Sequence, residues 1–316
     1  MKLRSFGIMI FVLIGVSFFK YFSVYAETAE EYLHSGTAYV QQGNFTQAIS
    51  DYTKAIEINP NLAEAYNNRG LAYDKQGNLT QAISDYTRSI EIDPNYTDAY
   101  YNRGFAYVQQ GNFTQAISDC TKAIEINPNL ADGYYNRGLI YNKQGNLPQA
   151  ISDCTKAIEI NPNFVDAYNN RGLAYDGQGN FTKAISDYTK IIEINSNYVM
   201  AYNNRGLAYD EQSNFTQAIS DYTKAIEINP NYADAYYNRG LTCAHQGNFT
   251  QAISDCTRAV EINPNYADAY YNRGVMYFAM KEHDKSWLDV HKAESLGYKV
   301  NAVFLQALKK ESGRDK

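Results

Sequence analysis

One phrase returns along this chain every 34 residues, and that period constrains its fold more than any single residue does. A recurrence of this length marks an array of short supersecondary units rather than one or two compact cores, so counting domains by length would mislead. The stretch from Ala63 to Tyr96 serves as the type unit. Its first half sets Tyr66, Gly70 and Tyr73 at i, i+4 and i+7, which is one face of a helix. Gly77 and Asn78 break that helix, because glycine readily takes the positive φ that a helix C-terminus needs. The second half sets Leu79, Ala82, Ile83, Tyr86 and Ile90 on one face of a second helix, with Asn78 or Thr80 as its N-cap. Asp93-Pro94-Asn95 ends it, since proline cannot continue the backbone ladder. Each unit is thus predicted to be a helix-turn-helix hairpin whose apolar faces are buried only by stacking.

The units start at Ala29, Ala63, Thr97, Ala131, Val165, Val199, Ala233 and Ala267. They give eight 34-residue hairpins over residues 29–300, after a short junction at 27–28. Landmark glycines recur at Gly36, Gly70, Gly104, Gly138, Gly172, Gly206, Gly240 and Gly274. Glycine inside a helix costs roughly 1 kcal/mol relative to alanine, so its return at one phase predicts a close approach by another helix. Second-helix alanines, from Ala48 and Ala82 to Ala252, fit that approach. Cys120, Cys154 and Cys256 stand where Tyr52, Tyr86, Tyr188 and Tyr222 stand elsewhere, and read as small buried core groups. Cys243 faces the phase of Cys256, but helix axes about 8 to 10 Å apart rarely bring two α-carbons within disulfide range. The eighth unit carries Lys281, Ser286 and Val290 where glycine, alanine and tyrosine are expected, which reads as a terminal unit meeting solvent. Residues 301–316 then form a capping helix, with Val303, Phe304 and Leu308 on one face, and a charged tail.

The spacing of Tyr66, Gly70, Tyr73, Gly77, Ala82, Tyr86 and Pro94 resembles the tetratricopeptide repeat, with tyrosine for its usual tryptophan at the first landmark. Local departures are Ser196 in place of a closing proline and Pro148 in the first turn of a helix. The resemblance implies an all-α fold, a right-handed superhelical solenoid of antiparallel helix pairs with a C-terminal capping helix. It also implies binding of a protein or extended peptide in a concave groove lined by first helices. The Leu296-Gly297-Tyr298 phrase and the helix after it resemble the tails of bacterial repeat proteins.

Residues 1–26 have a positive start, a 14-residue apolar run from Phe6 to Phe19 and a small residue at Ala26, the layout of a secretory signal peptide. Cleavage is expected after Ala26, with an inner-membrane anchor over residues 6–25 as the alternative. The destination implied is the periplasm or cell envelope. Those 26 residues hold Lys2, Arg4 and Lys20 and no acid, so 25 basic and 34 acidic residues remain, a net charge of −9. An acidic surface without a Lys/Arg stripe excludes nucleic acid as partner and favours a neutral or basic protein.

No enzyme is expected. His34, His245, His283 and His291 lack metal-ligand spacing, the glycines form no phosphate loop, and no cofactor is implied. Seven Asn-x-Thr phrases match the glycosylation pattern, but six fall at the turn into the second helix, where Asn serves as a cap. Acids and bases spaced by three on the second helix, as in Asp51, Lys54 and Glu57, read as a solvated charge ladder. The function expected is an exported scaffold that assists assembly of a cell-envelope complex, with a structural or self-assembling array as the alternative. In the tetratricopeptide family the residues that point into the groove include those just before the landmark glycine, and here that phase holds Asn68, Asn102, Asn136, Asn170, Asn204, Asn238 and Asn272, with His34 in the first unit. The ladder resembles the asparagine ladder of O-linked N-acetylglucosamine transferase. Amides pair with the main chain of an extended peptide whatever its side chains. Tyr101, Tyr135, Tyr237 and Tyr271 are expected to add apolar contact, and Asp74, Asp176 and Asp210 an acidic wall. The family's chaperone-tail clamp needs Lys and Arg where this chain has Asp98, Asp132 and Leu71, which argues against a carboxylate-ended ligand. The alternative role for the asparagines is to join neighbouring first helices.

Overall fold

A computed structural model describes residues 28–314. The expected signal peptide or anchor lies outside the described residues. By their internal contacts the described residues form two units, one ending at Ile140 and the other starting at Tyr141. In the first, α1 (Ala29–Gln41) pairs with α2 (Phe45–Ile58), α3 (Ala63–Lys75) with α4 (Leu79–Ile92), and α5 (Thr97–Gln109) with α6 (Phe113–Ile126). Next in the chain come α7 (Ala131–Lys143) and α8 (Leu147–Ile160). The second unit holds the pairs α9 (Val165–Gly177) with α10 (Phe181–Ile194) and α11 (Val199–Glu211) with α12 (Phe215–Ile228). It continues with α13 (Ala233–His245) and α14 (Phe249–Ile262), then α15 (Ala267–Ala279) and α16 (His283–Ser295), and closes on α17 (Ala302–Ser312). Among the described residues there are seventeen helices and no strand.

Each turn is built alike. At the end of α3 the N–H groups of Gln76, Gly77 and Asn78 donate to the carbonyls of Ala72, Asp74 and Tyr73, with Gly77 at φ +77°. Ser213 and Lys281 take the same left-handed conformation at φ 58° and 63° without glycine's freedom, which strains each by roughly 1 kcal/mol or more. Asn44, Asn78, Asn180 and Asn248 cap the second helices by accepting the N–H three residues on, whereas Asn112 and Asn214 make no such bond. The second helices from α2 to α14 end on an asparagine or aspartate whose side chain accepts the N–H two residues later, as Asn59 does from Asn61 at 3.1 Å, whereas α16 ends on Leu296. Asn195 does the same for Asn197 at 3.1 Å, so α10 ends on schedule although Ser196 replaces proline.

Within a hairpin the glycine and tyrosine phases meet. A Cβ on Gly70 would lie 2.8 Å from Cε1 of Tyr86, and one on Gly172 2.7 Å from Cε1 of Tyr188. At Gly104 the facing group is Cys120, whose Sγ would lie 3.4 Å away. All four cysteines are buried and none is in a disulfide, Cys243 and Cys256 sharing one core cluster with Met276. Burial pushes the Cys256 thiol up to about 12.

Two expectations for the C-terminal end are corrected. Ser286 and Val290 do not meet solvent but are fully buried, the Ser286 hydroxyl donating to the Gly274 carbonyl at 2.8 Å. Ser286 thus packs on the first helix of its own hairpin, and Val290 lies under α17, which sets Leu308 and Phe304 against Trp287, Val290 and Phe278. Val303 is not on the packed face and is 75% exposed. By the 34-residue step α17 is a ninth first helix, with Leu308 at the glycine phase. There its side chain is fully buried against Trp287 and Val290.

Candidate binding face

The main polar feature of the hairpins is one that the sequence reading passed over. Arg69, just before the landmark glycine, donates from Nε and Nη2 to both carboxylate oxygens of Asp85 at 2.8 Å. Its Nη1 donates to Thr53 Oγ1 of the preceding second helix at 3.1 Å, and its guanidinium lies 5.5 Å from the ring centre of Tyr66. Burial alone would lower the Arg69 pKa, but the hydrogen bonds and charge of Asp85 raise it. The same clasp joins Arg103 to Asp119 and Thr87, Arg205 to Asp221 and Thr189, and Arg273 to Asp289 and Thr257. In the first hairpin Ser35 replaces the arginine and donates to Asp51 Oδ2 at 2.7 Å. The solvated charge ladder is therefore half wrong. Asp51 and Asp85 are 4% and 6% exposed, and only the lysine-glutamate part, as in Lys224–Glu227 at 3.0 Å, faces solvent. Since the arginines are spent on internal carboxylates, they offer no charge to a ligand.

In the first unit Asn68 is half-buried and accepts from Asn67 at 3.2 Å. Asn102 donates to Asn67 Oδ1 at 3.0 Å, and Asn136 is only 8% exposed. Tyr101 and Tyr135 are half-buried, and Asp74 accepts from Gln109 Nε2 at 2.9 Å. In the second unit Asn170 is 4% exposed, donating to Cys154 Sγ at 3.2 Å and accepting from Asn142 at 2.8 Å. Asn204 donates to Asn169 at 3.4 Å, Asn238 to Asn203 at 3.0 Å, and Asn272 to the Tyr237 hydroxyl at 3.0 Å. Tyr237 packs on Tyr266 with ring centres 4.9 Å apart, and Tyr271 stacks on Tyr298 at 4.5 Å. Most of the amides thus join one first helix to the residue one place earlier on the preceding first helix. His34 is exposed.

The aspartates have partners too. Asp176 accepts the Tyr188 hydroxyl at 2.6 Å and Asp210 accepts Thr242 Oγ1 at 2.9 Å. A signal for this was available: Asp74, Asp176 and Asp210 occur in the hairpins that carry Tyr86, Tyr188 and Tyr222, whereas Val108 and Ala244 accompany Cys120 and Cys256. Burial, with the charge of Asp74 added to it, raises the Tyr86 pKa. Beside these groups the structure exposes apolar side chains to which the sequence reading gave no role. Phe105, Leu173 and Leu207, each following a landmark glycine, are 45%, 43% and 40% exposed. A large apolar residue next to a buried glycine points about 100° away from it around the helix, and that repeated phase could have been recognised as an open one. By helical spacing Asp166, Asn169, Leu173 and Asp176 share one face of α9, and Met200, Asn203, Leu207 and Asp210 the same face of α11.

The tetratricopeptide repeat family model matches residues 63–96, 97–130, 131–164, 165–198, 199–232 and 233–266, in the frame of the hairpins above. The chain belongs to the tetratricopeptide repeat family. Two related models, a TPR repeat and a further tetratricopeptide repeat, match residues 36–77 and 256–287. Among solved tetratricopeptide structures, YrrB, a TPR protein with an unusual peptide-binding site, is 27% identical with a TM-score of 0.53 over 58% of this chain and 95% of its own. A tetratricopeptide repeat protein from Parabacteroides merdae is 23% identical with a TM-score of 0.57, over 80% of this chain and 97% of its own. The C-terminal part of a TPR repeat-containing protein from Cytophaga hutchinsonii is 20% identical with a TM-score of 0.64, over 75% and 97%. These last two show the fold alone. No curated protein matches the chain significantly. Among the described residues, no helix is long and apolar enough to cross a membrane.

Proposed function

We propose that this tetratricopeptide array is an exported scaffold whose first helices bind an extended, neutral or basic segment of a protein partner during assembly of a cell-envelope complex. The observation that carries the reading is the exposure of apolar side chains at one phase of the first helices, Phe105 in one unit and Leu173 and Leu207 in the other, flanked by carboxylates and by arginines already neutralised. The peptide-binding site of YrrB supports it. In this reading Asn68, Asn102, Asn204, Asn238 and Asn272 set the spacing of the ladder. An amide has two N–H groups and two lone pairs, so one bond between helices leaves capacity for a ligand's main chain. The buried Asn136 and Asn170 then support the ladder from within. Tyr101, Tyr135, Tyr237 and Tyr271 form its apolar floor, and Asp74 and Asp210 its negative side, whereas Asp176 turns its carboxyl inward onto Tyr188.

A peptide library with basic, neutral and acidic members, screened against the chain and measured by fluorescence anisotropy, tests this. Basic and neutral peptides are expected to bind, the basic ones less tightly as salt rises. The paired change Leu173→Ser and Leu207→Ser, at exposed positions that leave helicity intact, is expected to weaken binding about tenfold, the scale of one lost anchor contact. Failure of every peptide, or equal binding by the double variant, sinks the groove reading. Mass spectrometry of the mature chain, expected to begin at Glu27, tests export separately.

A further inference from the structure

Asp176 lies near the end of α9, and its carboxyl group is turned into the fifth hairpin. One oxygen, Oδ2, accepts the Tyr188 hydroxyl at 2.6 Å. The other, Oδ1, is buried with no hydrogen-bond partner. In the next hairpin the matching carboxyl is better served, because Asp210 Oδ1 accepts from Thr242 Oγ1 at 2.9 Å. Thr242 stands 32 residues beyond Asp210, and the same step from Asp176 reaches Ala208, which is buried and carries no donor. The titratable and charged groups facing Asp176 are Tyr188, from α10, and Glu211, from α11; α8, also packed on α9, contributes none that acts on it. Among the described residues no cation acts on the carboxylate.

We propose that Asp176 is a proton-operated latch: with its carboxyl protonated the fifth hairpin stays closed, and with it ionised the hairpin opens more readily. An ionised carboxylate with an unpaired oxygen away from water is far costlier than the neutral acid. Burial is the largest influence and Glu211 adds to it, while the Tyr188 hydroxyl opposes, and together they raise the Asp176 pKa from 3.8 to about 6. The closed hairpin therefore binds the proton more tightly than the open one. Its stabilisation is complete below about pH 4 and is lost as pH rises through about 6.

Hydrogen exchange of the full chain, read by mass spectrometry at pH 5 and pH 7.5 and corrected for intrinsic exchange, tests the latch. Opening of α9 and α10 is expected to be roughly tenfold more frequent at pH 7.5 than at pH 5. Asp176→Asn keeps an acceptor for Tyr188 and removes the charge, so it should show the slow, closed behaviour at both pH values. Ala208→Thr, which supplies the donor found at Thr242, should shrink the pH dependence. A pH-independent fifth hairpin in the unaltered chain, or the same tenfold change in Asp176→Asn, overturns the proposal. An undiminished pH dependence in a folded Ala208→Thr chain overturns the role given to the missing donor.

Discussion

At Gly172 a single methyl group would press against the Tyr188 ring, at 2.7 Å from Cε1. Gly172→Ala is therefore expected to lose about 1–3 kcal/mol, read as a lower urea midpoint. In a chain that also carries Tyr188→Cys, the alanine should cost less, because Cys120 leaves ordinary contact distance at Gly104. An equal cost in both backgrounds would show that ring crowding is not the reason for the glycine. This glycine was legible in the sequence, since a residue unfavourable to helices returned at one helical phase. Asp85 was not. It lies next to Tyr86, and hydrophobic periodicity assigns one apolar stripe to a helix. Yet α4 packs against α3 on one side and α5 on the other, so polar residues between the stripes are buried as well.

Helices and turns were legible because glycine, asparagine and proline mark their ends, and the starts read from Ala29 onward are the helix starts found. What holds one hairpin to the next was not, because an arginine on a first helix looks like a solvated residue until its carboxylate is placed in space. Arg205 and Asp221 are 17% and 8% exposed in their side chains, joined by two hydrogen bonds of 2.7 Å. Arg205→Ala should cost about 3–5 kcal/mol, mostly for the carboxylate left behind in the interior. Lys224→Ala, which removes an exposed partner of Glu227, should leave the unfolding midpoint essentially unchanged, because a solvated ion pair is screened. Thermal unfolding of the two variants separates a structural clasp from a surface pair, and equal losses would refute the distinction. The binding face was legible only in part for a related reason. The phase of Asn102 and Asn238 meets the preceding first helix, at Asn67 and Asn203, and residue type alone does not say which neighbour uses the amide.

For the molecule as a whole, the clasp links each hairpin only to the one before it. Arg205 reaches Thr189, and Arg239 reaches Thr223. The first hairpin has Ser35 in place of arginine, and the eighth has His291 in place of the threonine. Removing residues 199–232 would bring Arg239 to Thr189 with every residue of the clasp still in phase. Such a chain is expected to keep the same helicity per residue by circular dichroism and to unfold cooperatively. A disordered product would show that contacts beyond nearest neighbours are needed. Near-identical 34-residue segments are prone to misaligned copying, which adds or drops whole segments of the gene. A link that reads only its neighbour makes each such accident a folded protein of a different length, so copy number can drift while every surviving junction stays correct.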